Sequence, residues 1–594
     1  MKEYSEVWDL ESIFAGGSNS AAFQERLEKL KVEIKELEEK ISTWQADAAG
    51  LKEILAVMTK VDEGLSQLGA FAEALSSADV TDSQALQLDS QVMALIPEYS
   101  QVNKEFQRSL AQIPDEKWES LLEDSDLKSV AFVLGEFRRD GANFLSAAEE
   151  NIIAQLKLDG QTAWSRHYDV LSGNLKVEHD NKQLSAGQAF NLMMASKDNE
   201  VRDQLFEKWE EAWGKDEQLY ADTLNHIDGA RLTDQKLHGN TDYLKEPREY
   251  NRLKQETLDQ MWAVVAKNKQ SFVEYMNRKA QLLGRQKPVW QDQEAPVVLG
   301  DFEAKHYTFS QAAEFIMENF EKFSPKMAAL AKKAFEGQWI EAQDRPNKRA
   351  GGYCTGFPEN QESRIFMTFG GSVNEVATLA HELGHAFHSS VMWDLPHLNQ
   401  GYAMNVAETA STFAEQVVND AAIASVTSKE EKINLLDQKL QGALAMFFNI
   451  HARYIFERSF YEARQTKVLS PKEISDLMVK AQKEAFADSL ANWHPHFWAA
   501  KLHFYIDDVP FYNFPYTFGY LFSQGIYAQA KKVGGSFEDQ YIALLRDTGA
   551  MTTEELAQKH LGVDLTKADF WQAGIDTILE DVKEFMELTE EYVK

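Results

Sequence analysis

Two histidines four residues apart, with a glutamate beside the first, form the group in this chain best suited to chemistry. The segment reads His381-Glu382-Leu383-Gly384-His385. On a helix, residues i and i+4 lie on one face, so both imidazoles can reach the same ion. Zn²⁺ binds imidazole nitrogen readily and prefers tetrahedral coordination. Glu382 could then serve as the general base for a metal-bound water.

The residues before this motif predict a strand followed by a well-started helix. Segment 363–369 has a short strand pattern and ends in two glycines. Because peptides can bind as an added strand, we expect one edge of this strand to face the cleft. Ser372 and Glu375 then have the spacing of a capping box. The apolar side of the predicted helix consists of Val376, Leu379, Leu383 and Phe387.

A zinc site needs a third protein ligand and an open position for water. The metzincin pattern is excluded, because this chain has His388 and Val391 where that pattern needs glycine and histidine. The helical stretch predicted at 405–423 carries Glu408 and Glu415, which are seven residues apart and therefore on one face.

Two other candidate ligands are nearer in sequence to the motif. Asp394 and His397 flank Pro396 in a segment that is predicted to be a loop. Spacing alone therefore leaves these two residues, Glu408 and Glu415 as possible third ligands.

The segment from His381 to His388, followed by Glu408-Thr-Ala-Ser-Thr-Phe-Ala-Glu415, resembles the thimet-oligopeptidase-like zinc metallopeptidases. The resemblance is strongest to their oligoendopeptidase F branch and extends by motif over roughly residues 340–530. It implies that His381, His385 and Glu408 bind one Zn²⁺ per chain. It also implies that Glu415 orients a zinc histidine and that His388 is not an additional ligand.

Further candidates for catalysis lie in a histidine- and tyrosine-rich segment downstream. Peptide hydrolysis builds negative charge on the carbonyl oxygen, which a tyrosine hydroxyl or histidine N–H can stabilise. Tyr512, Tyr516 and Tyr520 would share one helix face if Pro515 permits a helix.

The family resemblance gives this segment a specific role. Family members have a histidine and then tyrosines before a stretch like Gly519-Tyr520-Leu521. The resemblance therefore implies His503, Tyr512 and Tyr520 as oxyanion stabilisers. The spacing differs from that of the thimet branch, so which tyrosine acts stays open. His494 and His496 are expected to be structural.

Composition narrows the class of partner and the compartment. The net charge of −33 and the pI near 4.9 argue against nucleic acid. They indicate a solubilising acidic surface, or alternatively an acidic cavity that favours cationic peptides. The single cysteine, Cys354, excludes an internal disulfide and favours a reducing compartment. No secretory or membrane-spanning apolar segment is recognisable, so we expect a cytoplasmic protein that does not enter a membrane.

The rest of the chain has predominantly helical patterns. Apolar residues at heptad spacing run from Phe23 to Trp44, and a second apolar helix follows at 51–71. We expect these helices to form an antiparallel hairpin rather than a dimerising coiled coil. Strand character is predicted at 164–170. The segment 344–358, which is rich in glycine and proline, is predicted to be a mobile loop at the cleft or an ordinary surface connection.

The predicted fold is mostly α: a large helical zincin-type metallopeptidase with a small β-sheet beside the active-site helix. Residues 1–195 form a helical region and 196–594 the catalytic zinc peptidase domain. The resemblance implies a deep substrate channel that admits short unfolded peptides. The oligomeric state, monomer or homodimer, stays open.

The predicted activity is endopeptidase cleavage of oligopeptides, in which Glu382 assists attack by zinc-bound water and passes the proton to the leaving amine. A zinc carboxypeptidase and a dipeptidyl carboxypeptidase are alternatives with the same zinc motif. A helical scaffold with a relict zinc turn is the non-enzyme alternative. The presence of the base, ligands and donors together disfavours that last reading.

Overall fold

Helices make up most of the chain in the computed structural model, which describes residues 2–300 and 305–593. The prediction of a mostly α fold with small sheets is confirmed. Within those two ranges, no helix combines the length and apolar character needed to cross a membrane.

The first third of the chain is a set of packed helices followed by a β-hairpin. The predicted hairpin of α1 and α2 is confirmed, and Leu27, Leu30 and Ile34 of its seam are fully buried. The elements are α1 Ala21–Thr43, α2 Ala48–Ala78, α3 Ser83–Met93, α4 Ile96–Ala111, α5 Asp115–Leu121, α6 Ser125–Ser129, α7 Ala131–Asn143, α8 Ala147–Asp159, α9 Gln161–Asn174, β1 Lys176–His179, β2 Lys182–Ser185 and α10 Ala186–Ala195.

The predicted strand at 164–170 is wrong, because this segment lies within helix α9. Within this helix, Tyr168 is buried and its ring stacks on that of Tyr505, with the ring centroids 3.8 Å apart. The strands lie just beyond, in the β1–β2 hairpin, where Asp180 and Asn181 form the turn with φ of 49° and 58°. Asparagine and aspartate tolerate this left-handed conformation better than most residues.

The remaining helices surround the predicted metal motif. The elements are α11 Asn199–Lys215, α12 Glu217–Leu237, α13 Lys245–Tyr250, α14 Gln255–Leu282, α15 Phe309–Phe323, α16 Pro325–Glu336, α17 Val373–Ser390, α18 Met404–Ala407, α19 Thr409–Ser425, α20 Lys429–Leu444, a π-helical turn Ala445–Asn449, α21 Ile450–Arg464, α22 Pro471–Ala485, α23 Phe514–Val533, α24 Glu538–Asp547, α25 Thr553–Leu561 and α26 Ala568–Thr589.

A three-stranded sheet lies beside α17 and consists of β3 Ile340–Glu341, β4 Tyr353–Phe357 and β5 Glu362–Phe366. The strand order is β3-β5-β4, with β5 parallel to β3 and antiparallel to β4. The prediction that an edge of 363–369 faces the cleft is therefore wrong, because β5 is paired on both sides. The edge strands are β3 and β4, and β4 occupies part of the predicted 344–358 loop.

The sheet also joins two clusters of buried apolar residues. Phe357 and Phe366 pack with helices of the first 134 residues, whereas Ile340 and Ile365 pack with the cluster that contains α17. Adjacent residues of a strand point to opposite faces, so Ile365 and Phe366 serve different clusters. The predicted division at residue 195 stays a prediction.

Candidate metal centre

Helix α17 holds both histidines of the motif on one face. Ser372 Oγ accepts a hydrogen bond from the Glu375 backbone, and Glu375 accepts one from the Ser372 N–H, which confirms the predicted capping box. Burial of the apolar side of α17 against the protein interior fixes the rotation of the helix. The rings of His381 and His385 consequently lie 5.0 Å apart, centroid to centroid.

Glu408 reaches the two imidazoles from the junction of α18 and α19. Its Oε2 atom lies 3.2 Å from Nε2 of His381 and 3.4 Å from Nε2 of His385. Ser411, one turn into α19, donates a 2.6 Å hydrogen bond to the same carboxylate oxygen. These distances bring together the three residues that the family resemblance implied as ligands.

The three side chains fit a tetrahedral divalent ion. Two ligands of a tetrahedral zinc at its usual bond lengths are about 3.3 Å apart, which matches both imidazole–carboxylate separations. The ligand atoms of His381, His385 and Glu408 all lie within 4.8 Å of one another. Their side chains remain 24%, 22% and 27% exposed, so the centre is open to a fourth ligand.

The electrostatics of the centre also favour a cation. Burial lowers the pKa of His381, but hydrogen bonds to Glu408 and Glu415 outweigh it and raise the pKa to about 10. The same imidazoles hold the pKa of Glu408 well below its usual range, although burial acts in the opposite direction. A site that stabilises positive charge on an imidazole this strongly is suited to a metal ion.

Glu415 supports the centre from behind. Its Oε2 lies 3.1 Å from Nδ1 of His381, on the opposite side of the ring from Glu408. Such a carboxylate fixes the tautomer and orientation of a ligand histidine. This geometry agrees with the supporting role that the resemblance implied.

Glu382, between the two histidines in sequence, is 7% exposed. Burial raises the pKa of its carboxyl group, against the opposing charges of His381 and His385. A carboxylate with a raised pKa is a better proton acceptor than an exposed glutamate. Glu382 lies against the beginning of β4, where a Cβ atom built on Gly352 would be 3.8 Å from Glu382 Oε1.

His503, Tyr512 and Tyr516 form a second group of possible donors. The His503 ring centroid lies 5.4 Å from that of Tyr512 and 6.4 Å from that of Tyr516. Burial, together with the charges of Arg453 and Lys501, lowers the pKa of His503 to about 4, so the imidazole is neutral at pH 7. Its Nδ1 is buried and has no hydrogen-bond partner among the described residues.

Tyr520 does not join this group. Pro515 occupies the first turn of α23, where proline is tolerated, so Tyr516 and Tyr520 are helical while Tyr512 precedes the helix. Tyr520 packs on Phe447 and lines a cavity of about 80 Å³ together with Glu415. The sequence spacing puts Tyr516 on the same predicted helix face as Tyr512, but the prediction does not include it among the oxyanion stabilisers. Its position four residues after Tyr512 is the sequence feature that could have identified it.

The other histidine and aspartate candidates have separate partners. His388 is fully buried, contacts Thr548 Oγ1 at 3.0 Å and stacks on Tyr402. Asp394 pairs with Arg546 at 2.6 Å, and among the described residues it is not part of the group of possible ligands formed by His381, His385 and Glu408. His397 lies 3.5 Å from Asp62 on α2.

His494 and His496 flank one carboxylate, that of Glu210 on α11. Nδ1 of His494 and Nδ1 of His496 contact the two oxygens of Glu210, the latter at 2.7 Å. This arrangement ties the 494–498 segment to α11 and places both histidines in a structural contact.

The sequence matches the models of Peptidase family M3 over residues 192–577 and of Oligopeptidase F over 110–176. It is 23% identical over 598 residues to Oligopeptidase PepF of Bacillus subtilis, covering 98% of this chain and 87% of that protein. The crystal structure of oligoendopeptidase-F from Enterococcus faecium matches with a TM-score of 0.70 and 18% identity, covering 96% of this chain and 99% of that one.

A crystal structure from Chlamydophila abortus, described as that of a candidate peptidase, matches with a TM-score of 0.85 and 20% identity, covering 98% of each chain. At these identities the solved structures establish the fold alone. The first family model spans more than half of the sequence and includes the metal centre, its supporting glutamate and the His503 group. The chain therefore belongs to peptidase family M3.

Proposed function

We propose that this metalloendopeptidase uses zinc to hydrolyse short, unstructured oligopeptides. The observation that carries the proposal is the approach of one carboxylate oxygen of Glu408 to both imidazoles of the α17 motif, at 3.2 and 3.4 Å. Glu382, the residue after His381 in the sequence, would be the acid–base residue. Family membership supports peptide hydrolysis, and the donor set supports zinc.

His381, His385 and Glu408 would hold the ion, with Glu415 orienting His381. When bound, zinc would supply Lewis acidity, which lowers the pKa of a water molecule and polarises the scissile carbonyl. Glu382 takes the proton of the attacking water and then transfers it to the leaving amine. Its buried carboxyl group can hold that proton in between because its pKa is raised.

His503 and nearby tyrosines would stabilise the charge on the carbonyl oxygen. A neutral imidazole keeps one N–H, and the tyrosine hydroxyls are further donors. Tyr512 and Tyr520 are the predicted tyrosines, and the position of Tyr516 beside His503 makes it an additional candidate. Replacing each tyrosine by phenylalanine removes one hydroxyl at a time and shows which tyrosine stabilises the oxyanion.

The edge strand β4 is the proposed docking site for the peptide backbone. It lies against α17, and in the described part of the chain only β5 pairs with it. A peptide added to this edge would be held through main-chain hydrogen bonds, whatever its side chains. This placement would bring the scissile bond towards Glu382.

The proposal includes the domain and size expectations of the sequence. Residues 196–594 would form the catalytic domain, and the helical region 1–195 would close one side of a channel that folded proteins cannot enter. A cytoplasmic location fits the single cysteine of the chain.

The test combines metal analysis with product analysis. Purified protein is expected to retain about one zinc per chain and to cleave an internal bond of a C-terminally amidated peptide. Release of only single residues or only dipeptides from free C-termini would favour the carboxypeptidase alternatives. Glu382→Gln is expected to keep the metal and lose turnover. Failure of the wild type to bind zinc would overturn the proposal.

A further inference from the structure

Two cations beside the His503 group lack a carboxylate partner in the part of the chain that the structure describes. Arg453 lies on α21, and Lys501 comes two residues before His503. Both lie over the ring of Phe497, with Cζ of Arg453 and Nζ of Lys501 each 5.5 Å from its centroid. Within residues 2–300 and 305–593, neither cation has an ion-pair partner within 4.0 Å.

Two buried cations of the chain are directly paired with a carboxylate, whereas the buried Lys269 donates to the backbone carbonyl oxygen of Glu484. Lys279 lies 3.1 Å from Asp437, and Arg202 lies 2.8 Å from Asp292. Carboxylates are not scarce, since the chain has 94 acidic and 61 basic residues. A half-buried charge without a partner is costly, so two such cations side by side indicate a site for an anion.

The Arg453 guanidinium is oriented without being neutralised. Its Nε donates to Asn449 Oδ1 at 2.8 Å and its Nη1 to Asn513 Oδ1 at 3.0 Å. Asn449 ends the π-helical turn, a deformation that is frequent at functional sites. The Nη2 group has no acceptor among the described residues, so part of the fork is free to bind a ligand carboxylate.

Arg453 is linked to the donor group through Asn513, the residue that follows Tyr512. Tyr516 is influenced by both Arg453 and Glu408, because Glu408 raises its pKa and Arg453 lowers it, after the larger effects of burial and Tyr512. The carboxylate that acts on both cations is Glu294, which is exposed and more than 4.0 Å from either. A peptide that passes His503 would therefore meet positive charge next to the donor group.

Lys501 also borders a cavity of about 440 Å³ whose wall includes aromatic rings. Phe190, Trp209 and Phe497 contribute to that wall. Lys501 Nζ lies 5.2 Å from the centroid of Phe190, at the margin between the cavity and the Arg453 side. An apolar side chain next to a carboxylate would match this combination of surfaces.

We propose that Arg453 and Lys501 bind the terminal α-carboxylate of the peptide substrate, with the apolar side chain of its last residue in the adjoining aromatic cavity. The inference rests on the proposed peptidase function and deepens it. The peptide would be anchored by its free C-terminus, and the cleaved bond would lie at a fixed distance from that end.

The test compares one short unstructured peptide ending in phenylalanine, as the free acid and as the C-terminal amide. Zinc-loaded full-length protein is assayed for kcat/KM, and the cleavage position is read by mass spectrometry. Binding is measured separately as Kd on Glu382→Gln. A hydrogen-bonded charge pair is worth about tenfold to a hundredfold, so we expect the acid to be preferred by at least about tenfold in both measurements.

Lys501→Met should bring the acid-to-amide ratio towards one by weakening the acid alone. Arg453→Met should also bring the acid-to-amide ratio towards one. Circular dichroism checks that this variant folds. If one of the two variants is unstable, the other still tests the proposal. Lys480→Met, an exposed lysine of α22, is the matched control and should keep the wild-type ratio.

Equal binding and equal cleavage of acid and amide by the wild type would overturn the anchor while leaving the peptidase proposal intact. A preference for an internal aspartate or glutamate, unaffected by amidation of the terminus, would also overturn it. If neither peptide is cleaved, the peptidase proposal fails. The ratio of the Kd values of the free acid and the amide, measured on Glu382→Gln, then tests whether the two cations bind the terminal carboxylate.

Discussion

A Cβ atom built on Gly384 would lie 2.6 Å from the Cα of Ser411 and 2.5 Å from the carbonyl oxygen of Ala410. Helices α17 and α19 therefore touch backbone to backbone at this glycine, one residue before His385. The contact brings Glu408 close enough to share one oxygen with both imidazoles. The glycine of the motif sets the distance between the two halves of the metal centre.

Gly384→Ala is expected to push α19 away from α17 and to lengthen both imidazole–carboxylate distances. Overpacking of this kind costs about 1–3 kcal/mol of stability, and we expect zinc affinity to fall by at least about tenfold. Chelator competition measures the affinity and thermal unfolding the stability. Gly135→Ala on α7, where a Cβ meets nothing within 4 Å, is the control and should be neutral or slightly stabilising. Unchanged zinc affinity in Gly384→Ala would contradict the role of the contact.

Glu415→Ala should weaken zinc binding by about tenfold to a hundredfold, because His381 loses the acceptor that orients its ring. Glu415→Gln keeps an acceptor oxygen without the charge, so we expect it to recover part of the affinity. Both variants are compared by the same chelator competition. If the alanine variant binds zinc as tightly as the wild type, Glu415 does not position the histidine.

Removal of single tyrosine hydroxyls should separate the oxyanion donors. Tyr512→Phe and Tyr516→Phe are expected to lower kcat by up to about a hundredfold with little change in KM, as for loss of a donor used in the transition state. Tyr520→Phe should have a smaller effect, because Tyr520 packs on Phe447 rather than beside His503. Steady-state kinetics on one peptide tests all three. A larger loss in Tyr520→Phe than in Tyr516→Phe would restore the choice made from sequence.

Glu210→Gln should destabilise the protein at neutral pH by about 3 kcal/mol, since it breaks a largely buried contact with two histidines. Burial raises the pKa of Glu210, but His494 and His496 outweigh it and lower the pKa to about 2, from an ordinary value of 4.5. A lowered carboxyl pKa stabilises the fold fully above pH 4.5, and this contribution is lost as the pH falls towards 2.

Urea unfolding at a series of pH values measures this effect. The difference between wild type and Glu210→Gln should shrink below pH 4.5, and zinc content should not change. The control Glu211→Gln alters the neighbouring residue, whose side chain is 72% exposed, and should be nearly neutral. A stability difference that does not depend on pH would show that the ionised carboxylate of Glu210 does not stabilise the fold through His494 and His496.

Local patterns in the sequence predicted the local structure of the centre. The capping box of Ser372 and Glu375, the apolar face of α17 and the i, i+4 spacing of the histidines all concern residues within a few turns of one helix. Hydrogen bonding and side-chain direction over that range depend on the chain itself, so they are recognisable without a partner. The α1–α2 hairpin was predictable for the same reason.

Strand pairing was harder to predict from the sequence, because the partners of a strand lie in other segments of the chain and its own residue pattern does not identify them. Segment 363–369 was recognised as extended, but its place in the middle of the sheet comes from β3 and β4. The segment 164–170 has residues that suit a strand, yet it is helical in the structure. Tyr168 packs there against Tyr505, a residue that is distant in the sequence.

The sequence by itself determined the helical class and the histidine–glutamate motif of α17, and through family resemblance it led to the proposal of Glu408 over Asp394 and His397 as third ligand. Only the tertiary structure placed Glu408 between two imidazoles, separated Tyr520 from His503 and left Arg453 without an anionic partner among the described residues. The physical reason is range: capping and helix periodicity act between near neighbours, whereas these contacts join helices that are far apart in the chain and meet only when the protein folds.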